Sequence, residues 1–298
     1  MNEYCNLMIM VCKCMANKGI FPRRNSVVVR ATSQRTVVIL PGLGNNSADY
    51  EDLKSLLNTR YEYIVHVARV SRLDWARNAR GLLDSNYWAG SLSPRPTVDW
   101  YLDRVDEAVQ KSKKTSSGPI TLLCHSAGGW LGRLYLRDFD RAGITHFVSL
   151  GSPHLPPPEG VVDQTRGILT HIQNTCPHAY HDDISYVTIA GKYVRGAELF
   201  SRNGSFADRM VGVGYKQVCG QSAVDGDGVV PIPSAHLKGA TQINLDDVYH
   251  SPLGATKIGG TNLDSDDYEE SPGLLETQMV RRWYGHPENL EKWVQYLE

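Results

Sequence analysis

The 298-residue chain lacks an apolar run of the roughly 18 residues needed to cross a bilayer; its nearest candidate, Leu7 to Cys12, is short and runs into Lys13. It also lacks an excess of charge of either sign, with Lys+Arg 31 against Asp+Glu 32. Nucleic-acid binding needs clustered basic charge, so this balance speaks against it. Cysteines are few. Of Cys5, Cys12, Cys14, Cys124, Cys176 and Cys219, three fall in the first 31 residues, and the rest are odd in number and widely spaced. A disulfide framework is therefore not expected. Cys12-x-Cys14 has no second pair to complete a zinc site. There is no internal repeat, and no Gly/Ser or charge-block linker to split the chain.

Acids are missing locally. Residues 1–31 hold Lys13, Lys18, Arg23, Arg24 and Arg30 but only Glu3. Basic, acid-poor and Ser-containing composition marks an organelle transit peptide, and Val29-Arg30-Ala31 resembles a chloroplast cleavage site. The expected organisation is thus a targeting segment over 1–31 and a single domain over 32–298, with a chloroplast location, soluble or peripheral to a membrane. The remainder has Lys+Arg 26 and Asp+Glu 31, a mild net acidity that gives no long-range pull toward anionic lipid.

What is present is an alternation of strand and helix. Thr36–Leu40, Tyr63–Val70, Ile120–Cys124, Thr145–Leu150, Tyr186–Ala190 and Thr241–Leu245 read as strands. Helices are expected from Ser47, as N-cap, to Leu57, over Val98–Lys114, after Ser126, over 274–284 and over 287–297. In the second of these, Val98, Tyr101, Leu102, Val105 and Val109 share a face. Such alternation implies an α/β fold with a mostly parallel sheet and helices on both faces. Residues 71–97 read as irregular. Residues 154–183 interrupt the alternation, with one possible helix over 168–174, and are expected to form a short lid. The acidic run 262–271 reads as a solvated loop; its spacing fits no calcium site.

The strand over Ile120–Cys124 leads through His125-Ser126-Ala127-Gly128-Gly129 into a helix. A serine between small residues at a tight strand–helix turn is a nucleophile elbow, which lifts the hydroxyl clear of the backbone. Such a serine needs a base, a group to orient the base, and donors for an oxyanion. Chain order places acid and base after it. Asp227, in Asp225-Gly226-Asp227-Gly228-Val229-Val230-Pro231, is the chosen acid, with Asp225 the alternative. His250, just past the last strand, is the chosen base. His236 reads as part of a structural helix, His125 and His154 precede the acid and could line the pocket, and His286 reads as a surface residue. The oxyanion donors are expected at the N–H groups of Ala127 and Leu43, in the loop Leu40-Pro41-Gly42-Leu43-Gly44 after the first strand.

With these residues the chain resembles the α/β-hydrolase superfamily of lipases and esterases. Leu-Pro-Gly-Leu-Gly, His-Ser-Ala-Gly-Gly, Gly-Ser-Pro-His and Asp-Gly-Asp-Gly-Val-Val-Pro resemble plant and cyanobacterial members grouped with GPI-inositol-deacylase-like lipases. The resemblance runs from about Thr36 to about Pro252. It implies a carboxylic ester hydrolase acting through Ser126, His250 and Asp227, with no metal or organic cofactor, and a small-molecule or lipid ester as substrate. Two positions depart from the pattern: Cys124 stands for the elbow glycine, and Pro41 for a histidine. A ligand sensor or an acyltransferase on the same fold are the alternatives. Tyr87, Trp88, Trp100, Tyr101 and the 155–162 segment could wall an acyl pocket or could be packing.

Overall fold

In the computed structural model the described residues are 34–202, 204–255 and 281–298. The expected targeting segment, the acidic run 262–271 and residues 274–280 of the expected 274–284 helix lie outside them.

Six parallel strands form the main sheet. They are β1 (Thr36–Leu40), β2 (Ile64–Val67), β3 (Ile120–His125), β4 (Ile144–Leu150), β5 (Ser185–Lys192) and β8 (Thr241–Asp246), in the order β2-β1-β3-β4-β5-β8. β1 and β3 are buried along their whole length, as continuous β-branched and Leu-rich runs require. The chain steps from β1 to β2 on one side and then crosses to β3 on the other. The carboxyl ends of β1 and β3 therefore flank the point where strand order reverses, where open α/β sheets bind ligands. A small antiparallel pair, β6 (Val194–Arg195) and β7 (Asp225–Gly226), lies in the connection from β5 to β8.

The helices are α1 (Glu51–Arg60), α2 (Ser85–Ala89), α3 (Asp99–Thr115), α4 (Ala127–Asp138), α5 (Ile168–Thr175), α6 (Phe206–Cys219), α7 (Ile232–Ala235) and α8 (Pro287–Trp293). α3 buries the face expected of it: Tyr101, Leu102, Val105 and Val109 have no exposure and Val98 almost none. Each such side chain contributes about 1.5–3 kcal/mol by leaving water. Two apolar clusters result. One, with Leu122, Leu134 and Phe147, packs α3, α4 and α5 on one face of the sheet; the other, with Tyr50, Leu123, Val148 and Trp293, packs α1 and α8 on the opposite face.

Several expectations need correction. Asn46, not Ser47, caps the first helical turn; Ser47 instead hydrogen-bonds the Ala68 and Val70 carbonyls beyond β2. The β2 strand is shorter than the 63–70 run because its last residues turn toward that serine. Residues 71–97 are irregular only in their last part, 90–97: Ser71 caps a run of 3-10 turns over Arg72–Leu83, and Asp84 caps α2. α6 had no counterpart in the sequence reading, although Ser205 and Asp208 form a reciprocal capping box and Gly220 closes its end in the left-handed region. Its interior Gly212 and Gly214 dilute the helical signal. The expected helix over 274–284 is contradicted at its end, where Trp283 forms a bridge with Tyr249 and the chain is not helical. α5 lies where the lid was expected, yet Ile168, Leu169 and Ile172 are buried in the core. The guanidinium of Arg133, itself buried, donates to the His154 and Cys176 carbonyls and so ties both ends of this stretch to α4.

Candidate active site

Ser126 follows β3 as the N-cap residue of α4 with φ 52° and ψ −124°, a conformation that costs a non-glycine residue about 1–3 kcal/mol. Its N–H donates to the Leu150 carbonyl and its own carbonyl accepts from Gly129 N–H, so the turn is held from both sides. The space that Cys124 needs in place of glycine comes from α4: a Cβ on Gly132 would sit 2.8 Å from Cys124 Sγ. Cys124 is fully buried and desolvation pushes its thiol well above the usual range, so it packs as a small apolar residue.

The three expected residues meet. Ser126 Oγ lies 3.1 Å from His250 Nε2, and His250 Nδ1 lies 2.8 Å from Asp227 Oδ2. A carboxylate only accepts, so Nδ1 carries the proton and Nε2 is free to accept from the serine hydroxyl. Asp227 is fully buried and well supplied with donors. Its Oδ1 accepts from the N–H groups of Val229 and Val230, and its Oδ2 from His250 and from the Tyr284 hydroxyl at 2.8 Å. Gly151 at the end of β4 clears the place for this carboxylate, since a Cβ there would lie 2.4 Å from Asp227 Oδ2. Asp225, the alternative acid, points elsewhere and pairs with Arg195 at the surface.

The loop after β1 runs alongside the serine. A Cβ on Gly42 would stand 2.8 Å from Ser126 Cβ, so only glycine permits this approach. Pro41 is fixed from below by the Tyr101 hydroxyl, which donates to its carbonyl at 2.7 Å. Gly42 N–H is used by Tyr50, and no acceptor among the described residues takes the N–H of Leu43 or of Ala127. Ala127 also begins α4, whose N-terminal dipole favours negative charge at this point.

Three supporting residues carried no signal as such in the sequence. His125 faces back from the serine, is buried, and does not line a pocket. Its Nε2–H donates to the His250 carbonyl at 2.9 Å, and its Nδ1 accepts from the Tyr50 hydroxyl at 2.8 Å. Tyr50 in turn accepts from Gly42 N–H at 2.9 Å. This strut joins the loop after β1, the elbow and the His250 loop. Burial pushes His125 down to about 3, keeping it neutral, as the strut requires. Tyr284 is the third; its hydroxyl accepts from Gly191 N–H while donating to Asp227, and burial raises it well above an ordinary phenol.

Of the remaining histidines, His154 is buried against Ser149, and His236 follows the end of α7 and bonds Thr188 and Asn244. His286 is the N-cap residue of α8. Among the aromatic residues weighed for a pocket wall, Tyr101 is core, Trp100 bonds Asn78, Tyr87 stacks under Arg166, and Trp88 stands out in solvent. A cleft of about 690 Å³ along the free edge of β2, lined in part by Lys54, His66, Arg104 and Lys111, includes none of the candidate site residues.

A strained serine after the central strand of a parallel sheet, with an acid and a base from later loops within hydrogen-bonding distance, has a counterpart among known families. The model of the alpha/beta hydrolase family matches residues 37–273. The chain belongs to that family. No curated protein matches it in sequence. Among solved structures, the metagenomic carboxyl esterase MGS0156 superposes on this hydrolase with a TM-score of 0.53 at 15% identity, over 95% of this chain and 81% of that one. Phospholipase PlaB from Legionella pneumophila gives 0.47 at 12% identity, over 73% and 54%. LpqC, a poly(3-hydroxybutyrate) depolymerase from Bordetella parapertussis, gives 0.42 at 14% identity, over 74% and 77%. At 15% identity the likeness to MGS0156 is one of fold.

Proposed function

We propose that this alpha/beta hydrolase cleaves carboxylic esters through Ser126, His250 and Asp227, with acyl lipids as the substrate class. The observation that carries the reading is the continuous line Ser126 Oγ, His250 Nε2, His250 Nδ1, Asp227 Oδ2, with steps of 3.1 and 2.8 Å across the imidazole. His250 takes the serine proton as Oγ attacks the acyl carbon. The N–H groups of Leu43 and Ala127 hold the oxyanion. His250 then returns the proton to the leaving alcohol, and the acyl-enzyme is released by a water activated at the same nitrogen. Asp227 keeps the proton on Nδ1 and balances the imidazolium that forms.

The test is hydrolysis of p-nitrophenyl esters of rising chain length by the wild type and by Ser126→Ala. Turnover that survives the substitution ends the reading; a rate that rises with chain length supports the acyl preference. A lid within 154–183 is proposed to move without His154 and Ile168–Cys176, which Arg133 and the buried face of α5 hold to the core. The basic first 31 residues are proposed as a plastid-targeting segment, to be checked by import and processing with isolated chloroplasts.

A further inference from the structure

Most of the large apolar side chains left exposed by the described residues fall in two connections of the sheet, each tied to the end that carries Ser126: Trp75 Nε1 donates to the Asn45 carbonyl in the loop after β1, and the Tyr215 hydroxyl accepts from Gly228 N–H beside Asp227. Two groups stand out. The connection after β2 exposes Leu73, Leu82, Leu83 and Trp88, with Leu83 90% exposed. The connection after β5 exposes Leu199, Phe200, Phe206 and Met210, with Phe200 94% exposed. β2 and β5 are each two strands from β3, on opposite sides. At about 4.8 Å per strand, the two groups are rooted roughly 10 Å to either side of the serine.

Arginines are interleaved with both: Arg72, Arg77 and Arg80 in the first, Arg202 and Arg209 in the second. The acids of the same stretches, Asp74, Asp84 and Asp208, cap helical turns by accepting from backbone N–H groups, and Asp74 also pairs with Arg77. Arg72 pairs with Asp49 and Arg77 with Asp74, whereas among the described residues no ion pair neutralises Arg80, Arg202 or Arg209. Leu, Phe and Trp alternating with arginine is the composition of segments that lie in a lipid headgroup layer.

We propose that these two loops dock the protein on an anionic lipid surface, with Ser126 facing the gap between them. A fluid surface can take both tips at once and still offer an ester between them, whereas a rigid protein spanning both would cover the serine. The mild acidity of residues 32–298 provides no long-range attraction, so insertion of the apolar tips is the main contribution and the arginines select anionic headgroups locally. That docking serves to present substrate rests on the ester-hydrolase reading; the docking itself does not.

The experiment is sedimentation of the full chain with sucrose-loaded vesicles of phosphatidylcholine, with and without phosphatidylglycerol, alongside hydrolysis of p-nitrophenyl butyrate in solution. The wild type is expected to pellet with the mixed vesicles and more weakly with the neutral ones. The double variant Leu83→Asp, Phe200→Asp should lose at least about tenfold in partitioning, and Arg80→Gln about fivefold, with butyrate hydrolysis unchanged. Both apolar positions stand in solvent, so folding is not at stake. Failure to pellet with mixed vesicles overturns the proposal, as does equal pelleting by the double variant. A lipid-free dimer that the double variant abolishes, without vesicle binding, overturns it in favour of a second copy. Vesicle binding by a protein that cleaves no p-nitrophenyl ester, short or long, leaves docking standing and removes the hydrolase reading.

Discussion

Beneath Ser126 and around it, the molecule is built in opposite ways. Below lie polar groups that are buried and paired: Asp227 with four donors, His125 held between Tyr50 and the His250 carbonyl, Tyr284 between Gly191 and Asp227. Around it stand apolar side chains in solvent, with few partners of their own. The first arrangement has one geometry, because each group lost leaves another buried and unsatisfied. The second has no internal geometry to satisfy, so its residues are explained by what approaches from outside. Precision sits below the serine and adaptability above it.

The largest effect expected is on the line of proton transfer. Ser126→Ala or His250→Ala should lower ester turnover about 10³-fold or more while leaving the circular dichroism spectrum intact. Asp227→Asn should cost about 10²–10⁴ by misplacing the Nδ1 proton, whereas Asp225→Asn, which only breaks a surface pair with Arg195, should leave steady-state turnover unchanged. Comparable losses in the two aspartate variants would mean that the acid has been misassigned.

The strut comes next. Tyr50→Phe strands both Gly42 N–H and His125 Nδ1, so urea unfolding should show a loss of about 2–4 kcal/mol, with slower turnover because the Leu43 loop is freed. A loss under about 0.5 kcal/mol, the size of a surface change, would show that the region below the serine is no more constrained than the rim.

A third effect depends on pH. Folded His125 declines a proton that the unfolded chain accepts near pH 6.5, and it holds out to about 3. Stability from this group is therefore complete above pH 6.5 and falls as pH drops through that window, by about 1.4 kcal/mol per pH unit. Burial also lowers His154, which adds to the slope in the same direction. Urea midpoints at pH 7, 6 and 5 measure the slope, to which partly buried His66, His146, His171, His181 and His286 add with the same sign, and His154→Gln should make it shallower. Stability that stays flat over this range would contradict neutral, buried histidines. The smallest effect is at the rim: Leu83→Asp should change stability by no more than about 0.5 kcal/mol.

The same contrast governs what the sequence discloses. β1 and β3 fall within a residue of their expected ends, because a buried parallel strand is a continuous apolar run with sharp borders; β8, an edge strand, does so through the alternation of Ile243 and Leu245 with polar residues. That Ser126, Asp227 and His250 come within hydrogen-bonding distance of one another is legible in the sequence because local turn chemistry and chain order mark them. Tyr50, His125 and Tyr284 were not, since their roles come from contacts 57 to 125 residues away in the chain, which leave no periodic trace. The helix missed over Phe206–Cys219 was announced only by its caps. Residues 71–97 appeared irregular because their 3-10 turns have neither a helical nor a strand period.

The most direct test of the central claim is labelling of the protein by a fluorophosphonate probe, followed by peptide mapping. An activated Ser126, within 3.1 Å of His250 Nε2, should carry the phosphonate, and the label should vanish in His250→Ala. Labelling at another residue, or at Ser126 equally in the histidine variant, would contradict it.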